Sequence, residues 1–286
     1  EITPSDTAKM DLTHVVGFIS EVGGATSHSA IIARSLEIPA VSQVKDILEH
    51  LHTGDVVLLD GTNGTVETNV TEEALEKYRS AKEAERSQRA LCAGFVGKPT
   101  VTADGHKLEL WANIGSLRDI ERVLSSDAEG IGLMRSEFLY MDCDTLPDEK
   151  TQYQAYKTVL EVMHGKPVVI RTLDIGGDKE LPALGLERED NPFLGYRAIR
   201  ICLDRPELLR TQLRALLRAG VYGELRIMFP MISCLEELHS AKAVLRNAQL
   251  ELQQEGIPHR ANVPVGMMIE VPAAAIMADT FAAEVD

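Results

Sequence analysis

A single histidine lies in a run of glycine and hydroxyl residues that suits phosphate chemistry. The run from Gly23 to Ser29 reads Gly-Gly-Ala-Thr-Ser-His-Ser, and a helix-like segment follows it. Glycine permits backbone conformations that a Cβ forbids, and a helix start offers N–H groups and the positive end of its dipole to an anion. A neutral imidazole is a competent nucleophile near pH 7. This pattern favours a phosphoryl group carried on His28 over the alternative that His28 caps a helix.

Charged residues recur where short apolar runs end. Arg135, Arg171 and Glu270 each follow such a run, and Arg197 lies in a nearby glycine-containing loop. Arginine donors match phosphate and carboxylate, and Mg²⁺ prefers a few carboxylates together with substrate oxygens. We therefore expect a phosphoryl-transfer site in which the three arginines bind a small dianion and Glu270 binds Mg²⁺. The alternatives are surface ion pairs for the arginines and a structural pairing with a buried arginine for Glu270.

Two aspartates close to Arg171 are expected to support this site. Asp174 and Asp178 belong to the run Thr-Leu-Asp-Ile-Gly-Gly-Asp-Lys that begins at Thr172. We expect them to orient the arginines rather than to bind metal. The seven histidines other than His28 lack comparable neighbours, so we interpret them as surface or packing residues.

Three regions of the sequence would position these residues. Residues 1–70 alternate short apolar runs with glycine turns, including a hairpin turn at Asp60–Gly64, and predict a small α/β domain. Residues 71–98 predict a helical linker, since Thr71–Ala93 contains no glycine or proline and is dense in charge; a charged coiled-coil segment is the alternative.

Residues 99–286 alternate strands with amphipathic helices, which is typical of parallel βαβ units. That pattern favours either a doubly wound sheet or a (β/α)₈ barrel, in which the carboxyl ends of the strands form the site. The predicted strands are Leu108–Ala112, Gly130–Leu133, Pro167–Thr172, Leu225–Pro230 and Val265–Ile269.

Composition restricts the function further. The 286 residues are 44% hydrophobic and carry a formal net charge of -15, which argues against nucleic acid as the main partner.

Four cysteines without Cys-x-x-Cys spacing indicate neither a zinc site nor a disulfide framework, and reduced thiols indicate the cytoplasm. No apolar run reaches the roughly 18 residues of a membrane span, and no secretory signal is recognisable. The first residue is Glu1, so we expect a fragment.

The motifs together resemble a known family. The run around His28 resembles the phosphohistidine motif shared by enzyme I of the phosphoenolpyruvate:sugar phosphotransferase system and the phosphoenolpyruvate/pyruvate dikinases. Three further motifs resemble enzyme I specifically, and the Asp-Ile-Gly-Gly-Asp-Lys run separates the chain from the dikinases. These motifs are Gly-Leu-Met-Arg135-Ser-Glu-Phe-Leu-Tyr, Arg171-Thr-Leu-Asp-Ile-Gly-Gly-Asp-Lys and Asn-Pro-Phe-Leu-Gly-Tyr-Arg197-Ala-Ile-Arg.

The resemblance implies a cytoplasmic, Mg²⁺-dependent enzyme that moves the phosphoryl group of phosphoenolpyruvate to His28 and then to a small histidine-containing carrier protein. By motif position, Arg135 and Arg171 would bind phosphoenolpyruvate, Arg197 would assist at the phosphate, and Glu270 would be a Mg²⁺ ligand. Thr26 and Thr7 would support His28, Thr7 by a hydrogen bond.

The resemblance also implies a fold and an assembly. A swivelling phosphohistidine domain (1–70) would be joined by the helical linker (71–98) to part of a (β/α)₈ barrel (99–286), and the full-length enzyme would be a homodimer. The family's carrier-binding helical domain is absent from this sequence, as are the later barrel strands with an Asn-Asp pair, an arginine and a cysteine that protonates the enolate. We expect these residues alone to be inactive. A dikinase-type enzyme and a non-catalytic regulatory phosphoacceptor module remain as alternatives.

Overall fold

The computed structural model describes residues 14–24, 30, 33, 38–141, 145–176, 182–186, 189 and 194–286, in two compact units, 1–95 and 96–286. The predictions made for Thr7, Thr26, His28 and Asp178 lie outside the described residues. Within the described ranges, no helix is long and apolar enough to cross a membrane.

The first unit contains two small pairs of strands. β1 (Phe18–Ser20) pairs in parallel with β2 (Ala40–Ser42), and a short helix, α1 (Ile47–His50), follows. β3 (Leu58–Asp60) and β4 (Thr65–Glu67) form the predicted hairpin. The Asp60 side chain accepts hydrogen bonds from the backbone N–H groups of Thr62 and Asn63, and these bonds, that from Asn63 first, lower the pKa of Asp60.

The long polar segment forms a helix, α2 (Glu72–Ala93), that contains no buried residue. Thr71 caps it by accepting a hydrogen bond from Ala74 N at 3.2 Å, which is one half of a capping box. The Tyr78 hydroxyl donates to Leu59 O at 2.6 Å, and this bond ties the helix to β3.

The second unit is built on a parallel sheet whose spatial order follows the chain order. Its strands are β7 (Trp111–Ile114), β8 (Gly130–Arg135), β9 (Val168–Arg171), β10 (Leu225–Phe229) and β11 (Val265–Met267). All neighbouring pairs are parallel, so their carboxyl ends meet at one edge. The first predicted strand differs: Leu108 belongs to a separate antiparallel pair, β5 (Thr100–Val101) with β6 (Lys107–Leu108), and the strand of the main sheet begins at Trp111.

Helices follow the strands of this sheet. They are α3 (Ile120–Ser125), α4 (Phe138–Met141), α5 (Glu149–Val162), α6 (Ile199–Asp204), α7 (Pro206–Ala219), α8 (Leu235–Gln254), α9 (Pro272–Ile276) and α10 (Ala278–Ala282). Short 3₁₀ segments lie at Leu117–Asp119, Pro182–Leu184 and Gly220–Tyr222.

The long helices of the second unit, α5, α7 and α8, each bury one face in its core. Helix α7 packs between α5 and α8. In α8 the buried residues recur at the spacing of one helical face: Leu238, Ala241, Leu245, Ala248 and Leu252. They join the buried strand residues, such as Ile131, Ile170 and Ile227, in one core that supports the sheet from the helix side.

The start of β8 is crowded enough to require glycine. A Cβ on Gly130 would lie 2.9 Å from Pro167 O and 3.1 Å from the Trp111 ring, whereas a Cβ on Gly266 in β11 would meet no atom within 4 Å. We predict that Gly130→Ala lowers the free energy of unfolding by about 1–3 kcal/mol through overpacking. The matched Gly266→Ala change is expected to stay within about 0.5 kcal/mol. Urea unfolding of the two variants would contradict this if their midpoints shifted equally.

Candidate functional site

The predicted arginines meet at the carboxyl ends of β8 and β9. Arg135 is in register with Arg171 on the adjacent strand, and neighbouring strands lie about 4.8 Å apart. The two differ in environment, because the Arg135 side of the pair is exposed while Arg171 is 5% exposed. Among the described residues, Arg135 makes no ion pair, so its guanidinium is available at the edge of the site.

Arg171 is held by two buried carboxylates. Its Nη2 donates to Glu137 Oε1 at 2.6 Å, and its Nη1 lies 3.0 Å from Asp174 Oδ2. Nη1 also lies 3.5 Å from Met268 Sδ. Buried charges are tolerated when they are paired and hydrogen-bonded, and all three charged side chains satisfy that condition.

Asp174 joins Arg171 to Arg197. Arg197 donates to Asp174 Oδ1 from Nη2 at 2.7 Å and from Nε at 3.1 Å. Asp174 thus orients both arginines, as the sequence predicts. We call Glu137, Arg171, Asp174 and Arg197 the arginine cluster; it holds two positive and two negative charges, and each member is at most 7% exposed.

The backbone that brings Arg197 to Asp174 adopts unusual conformations. Gly176 has φ +115°, and a Cβ there would lie 2.5 Å from the Cβ of Arg197. Ala198 has φ 52°, and its N–H donates to Ile175 O at 2.9 Å. A non-glycine residue in this region is strained, so the structure maintains this strain in order to place Arg197.

Two buried donors of the site have no hydrogen-bond partner among the described residues. They are Arg171 Nε and Thr172 Oγ1. Burying a polar group without a partner costs about 1–3 kcal/mol, and such groups in a native structure require an explanation. Both atoms lie directly at the carboxyl end of β9, where an anionic ligand would satisfy them.

Two buried polar residues, Ser136 and Gln212, support the backbone of the arginine cluster. Ser136 Oγ donates to Arg171 O at 2.9 Å and accepts from Gln212 Nε2 at 3.0 Å, and Gln212 Nε2 also donates to Tyr156 Oη at 2.9 Å. Burial raises the pKa of Tyr156, so its hydroxyl remains protonated and donates to Gln152 Oε1 at 3.2 Å.

Glu270 follows β11, so it lies at the same carboxyl edge of the sheet as the arginines. It is exposed, and its Oε1 accepts a hydrogen bond from Met231 N at 2.8 Å. Met231 follows β10 with φ 59°, a left-handed conformation that directs its N–H to this carboxylate. In the described residues Glu270 pairs with this backbone donor and not with a buried arginine. Its second oxygen is left for another ligand.

A metal at Glu270 would need donors beyond the side chains that the structure describes. The described residues contain no group of three or more His, Cys, Asp or Glu side chains that could hold a metal ion. One carboxylate is nevertheless a sufficient protein contribution for Mg²⁺ when substrate phosphate and water supply the other oxygens. The donor chemistry of Glu270 therefore fits Mg²⁺ and does not fit a closed structural metal site.

Two described cysteines of the second unit, Cys202 and Cys234, have thiols with raised pKa values. Burial, with a smaller contribution from the nearby Asp174 charge, raises the pKa of the Cys202 thiol to about 12. Burial also raises the pKa of Cys234. Both thiols therefore stay neutral near pH 7.

Sequence reasoning did not single out Ser136, Glu137 or Gln212. Ser136 and Glu137 follow Arg135 directly, and a strand end that carries three consecutive polar residues could have indicated them. Gln212 occupies a position on the apolar face of α7, between Leu209 and Leu213. A polar residue at apolar helical spacing is the signal that was available.

Ligand sites of α/β enzymes lie at the carboxyl ends of parallel strands, and arginines at that position match anionic groups. A sequence model described as "PEP-utilising enzyme, PEP-binding domain" matches residues 89–286, and one described as "PEP-utilising enzyme, mobile domain" matches residues 1–64. The chain belongs to this family of phosphoenolpyruvate (PEP)-utilising enzymes.

Individual relatives agree with this family. The chain is 52% identical to phosphoenolpyruvate-protein phosphotransferase of Priestia megaterium and 54% identical to that of Geobacillus stearothermophilus, over 286 residues in each case. Both alignments cover 100% of this chain and 50% of the relative, so the chain spans about half the length of these curated relatives. A solution NMR structure of Enzyme I (nEIt) is 48% identical, with a TM-score of 0.29, and covers 30% of this chain and 35% of that chain.

The shared carboxylate of Asp174 gives a direct stability test. We predict that Asp174→Asn lowers the free energy of unfolding by about 3–5 kcal/mol, because two buried guanidinium groups lose their common counter-charge. The control is Glu224→Gln, which breaks the partly exposed pair with Arg260 at 2.8 Å and is expected to cost about 0–1 kcal/mol. Equal losses in thermal or urea unfolding would show that the arginine cluster is not a buried electrostatic unit.

Proposed function

We propose that this chain is part of a phosphoenolpyruvate-protein phosphotransferase. It takes the phosphoryl group of PEP onto His28 and passes it to a small histidine-containing phosphocarrier protein, the first step of a sugar-uptake phosphorylation system in the cytoplasm. The observation that carries the proposal is the arginine cluster at the carboxyl end of β9, in which Arg171 Nε has no partner among the described residues. The names of the relatives and the family membership support the same activity.

The architecture in this proposal has three parts. Residues 1–70 form a phosphohistidine domain that swivels, 71–98 form a helical linker, and 99–286 form part of a (β/α)₈ barrel. The sheet order supports a barrel wall, since β7 to β11 are adjacent in sequence order, whereas a doubly wound sheet reverses its order. The proposal includes a homodimer of the full-length enzyme.

Substrate binding depends on the arginines. Arg171 and Arg197 are oriented by Asp174, so they meet a dianionic phosphate without reorganising. The buried Arg171 Nε and Thr172 Oγ1 gain partners when PEP binds, which makes binding favourable at atoms that otherwise carry a cost. Arg135, exposed and in register with Arg171, closes the anion site from the neighbouring strand.

His28 is the nucleophile of the proposed reaction, through its distal ring nitrogen. The N–P bond to His28 forms as the bond from phosphorus to the enol oxygen of PEP breaks, and the enolate released is protonated to pyruvate. The arginines stabilise the negative charge on the transferring phosphoryl group. Thr7 and Thr26 hold the His28 ring, and movement of the first domain carries the phosphohistidine to its acceptor.

Mg²⁺ is the proposed cofactor, with Glu270 as a protein ligand. Met231 N–H donates to Glu270 Oε1 and orients the carboxylate, which would hold the metal through its free oxygen, Oε2. When bound, Mg²⁺ would neutralise charge on the PEP oxygens. The intact arginine cluster and Glu270 argue against a module that only accepts phosphate from another protein, and we do not propose that alternative.

A phosphorylation assay tests the proposed function. The full-length protein that contains this chain, incubated with PEP and Mg²⁺, is expected to gain an acid-labile phosphoryl group on His28 by intact mass and peptide mapping. His28→Ala should abolish it, and Arg171→Ala should slow it by about 100-fold or more. The control Arg226→Ala, which removes an arginine stacked 5.1 Å from the Trp111 ring, should leave the rate unchanged.

Three results would contradict the proposed function. They are labelling from ATP but not from PEP, labelling at another residue, and equal rates in the two arginine variants. The isolated 286-residue chain is expected to remain unlabelled.

Glu270 gives a separate prediction about the metal. Glu270→Gln keeps an oxygen that accepts from Met231 N, so the fold at β11 should be retained. It loses the charge that binds Mg²⁺, and the Mg²⁺ concentration for half-maximal phosphorylation is expected to rise by about tenfold or more. A Mg²⁺ titration of the full-length variant measures this, with Glu284→Gln near the chain end as the control. An unchanged Mg²⁺ requirement would remove Glu270 from the metal site.

A further inference from the structure

Gln212 is a fully buried amide on the apolar face of α7. Each of its polar atoms has a partner: Oε1 accepts from Leu173 N at 2.9 Å, and Nε2 donates to Ser136 Oγ at 3.0 Å and Tyr156 Oη at 2.9 Å. A buried amide with all its groups satisfied has one orientation and resists rotation.

These bonds reach the backbone on both sides of Thr172. Leu173 N–H is bound directly, and Arg171 O is bound through Ser136 Oγ, which donates to it at 2.9 Å. The segment between the two contacts also carries Thr172 Oγ1, which has no partner among the described residues, and Asp174 follows immediately. A single side chain from a helix therefore fixes the strand end from which the arginine cluster extends.

We propose that Gln212 is the positioning residue for Arg171, Thr172 and Asp174 in the phosphoryl-transfer site. It touches neither substrate nor metal; it acts by holding the Arg171–Asp174 backbone where the guanidinium and carboxylate meet. This inference rests on the proposed function, since it states which residue sets the geometry of that site. A shift of about 1 Å in a group that stabilises the transition state can cost about 100-fold in rate.

A second buried glutamine provides a control that distinguishes a positioning role from an effect on stability alone. Gln152 on α5 is 1% exposed and accepts from Tyr140 Oη and Tyr156 Oη, while its Nε2 donates to Pro147 O. Among the described residues, the hydrogen bonds of Gln152 reach no backbone atom of the Arg171–Asp174 segment. Gln212→Met and Gln152→Met thus each remove a buried amide of the same size, but only the first releases the strand end.

The test compares these two variants in the full-length protein. Both are expected to lower the melting temperature to a similar extent. Gln212→Met is expected to lower kcat for PEP-dependent phosphorylation of His28 by about 10- to 100-fold with a smaller change in KM, while Gln152→Met keeps wild-type kcat. In the 286-residue chain, hydrogen exchange at Leu173 N–H should accelerate by about tenfold or more in Gln212→Met only.

Gln212→Glu provides a second variant in case the methionine change prevents folding. A carboxyl buried at this position should have a raised pKa, and its neutral form reproduces one acceptor and one donor of the amide. Activity relative to wild type should therefore recover as the pH falls and decline as the carboxyl ionises. A purely structural role would give no such pH-dependent rescue.

The outcomes distinguish the two claims. Equal kcat in the two methionine variants, with an active wild-type enzyme, overturns the positioning role and leaves the proposed function intact. If PEP does not phosphorylate the wild-type protein, the proposed function and the catalytic part of this inference are both overturned. Faster hydrogen exchange at Leu173 N–H in Gln212→Met only would still identify Gln212 as the residue that holds the Arg171–Asp174 segment. Different kcat values with the exchange contrast support both claims.

Discussion

The structure of the site depends on one carboxylate shared by two buried arginines. Asp174 accepts from Arg197 and pairs with Arg171, and Glu137 balances the remaining charge. Taking these ions out of water is tolerated only because each has a counter-charge at hydrogen-bond distance. The cluster is neutral overall, yet it leaves the Arg171 Nε donor buried and without a partner in the described residues. In the proposed function, that donor binds the anionic substrate.

Several parts of the fold position the arginine cluster. Parallel strands bring Arg135 and Arg171 to one edge, and the left-handed backbone at Gly176 and Ala198 places Arg197 against Asp174. Helix α7 then adds Gln212 beneath the strand end. The conformational strain and the buried polar groups are costs that an α/β core of this size can offset, and they are concentrated where chemistry is expected.

Much of this could be read from the sequence, and the reasons for the rest are physical. Hydrophobic runs and their spacing predicted the parallel strands and long helices, and turn chemistry predicted the Asp60 hairpin, because both signals are local. The predicted start of the first main-sheet strand was wrong, because Leu108 pairs with Thr100 in a separate antiparallel ladder. Strand pairing depends on residues outside the local sequence. Glu137 and Gln212 were missed for the same reason: their partners lie 34 and 39 residues away. The catalytic and ligand-binding roles of all the candidate site residues stay predictions: His28, Arg135, Arg171, Arg197, Glu270, Thr7 and Thr26.

The central claim is that the buried Arg171 Nε–H donates a hydrogen bond to the substrate anion when it binds. NMR of the protein with ¹⁵N-labelled arginine, titrated with PEP, observes that atom directly. The account predicts that the Arg171 Nε–H signal shifts as PEP binds, because an acceptor then reaches a donor that has no partner among the described residues. The Arg226 signal should stay in place. PEP binding at saturation with no change at Arg171 Nε would contradict it.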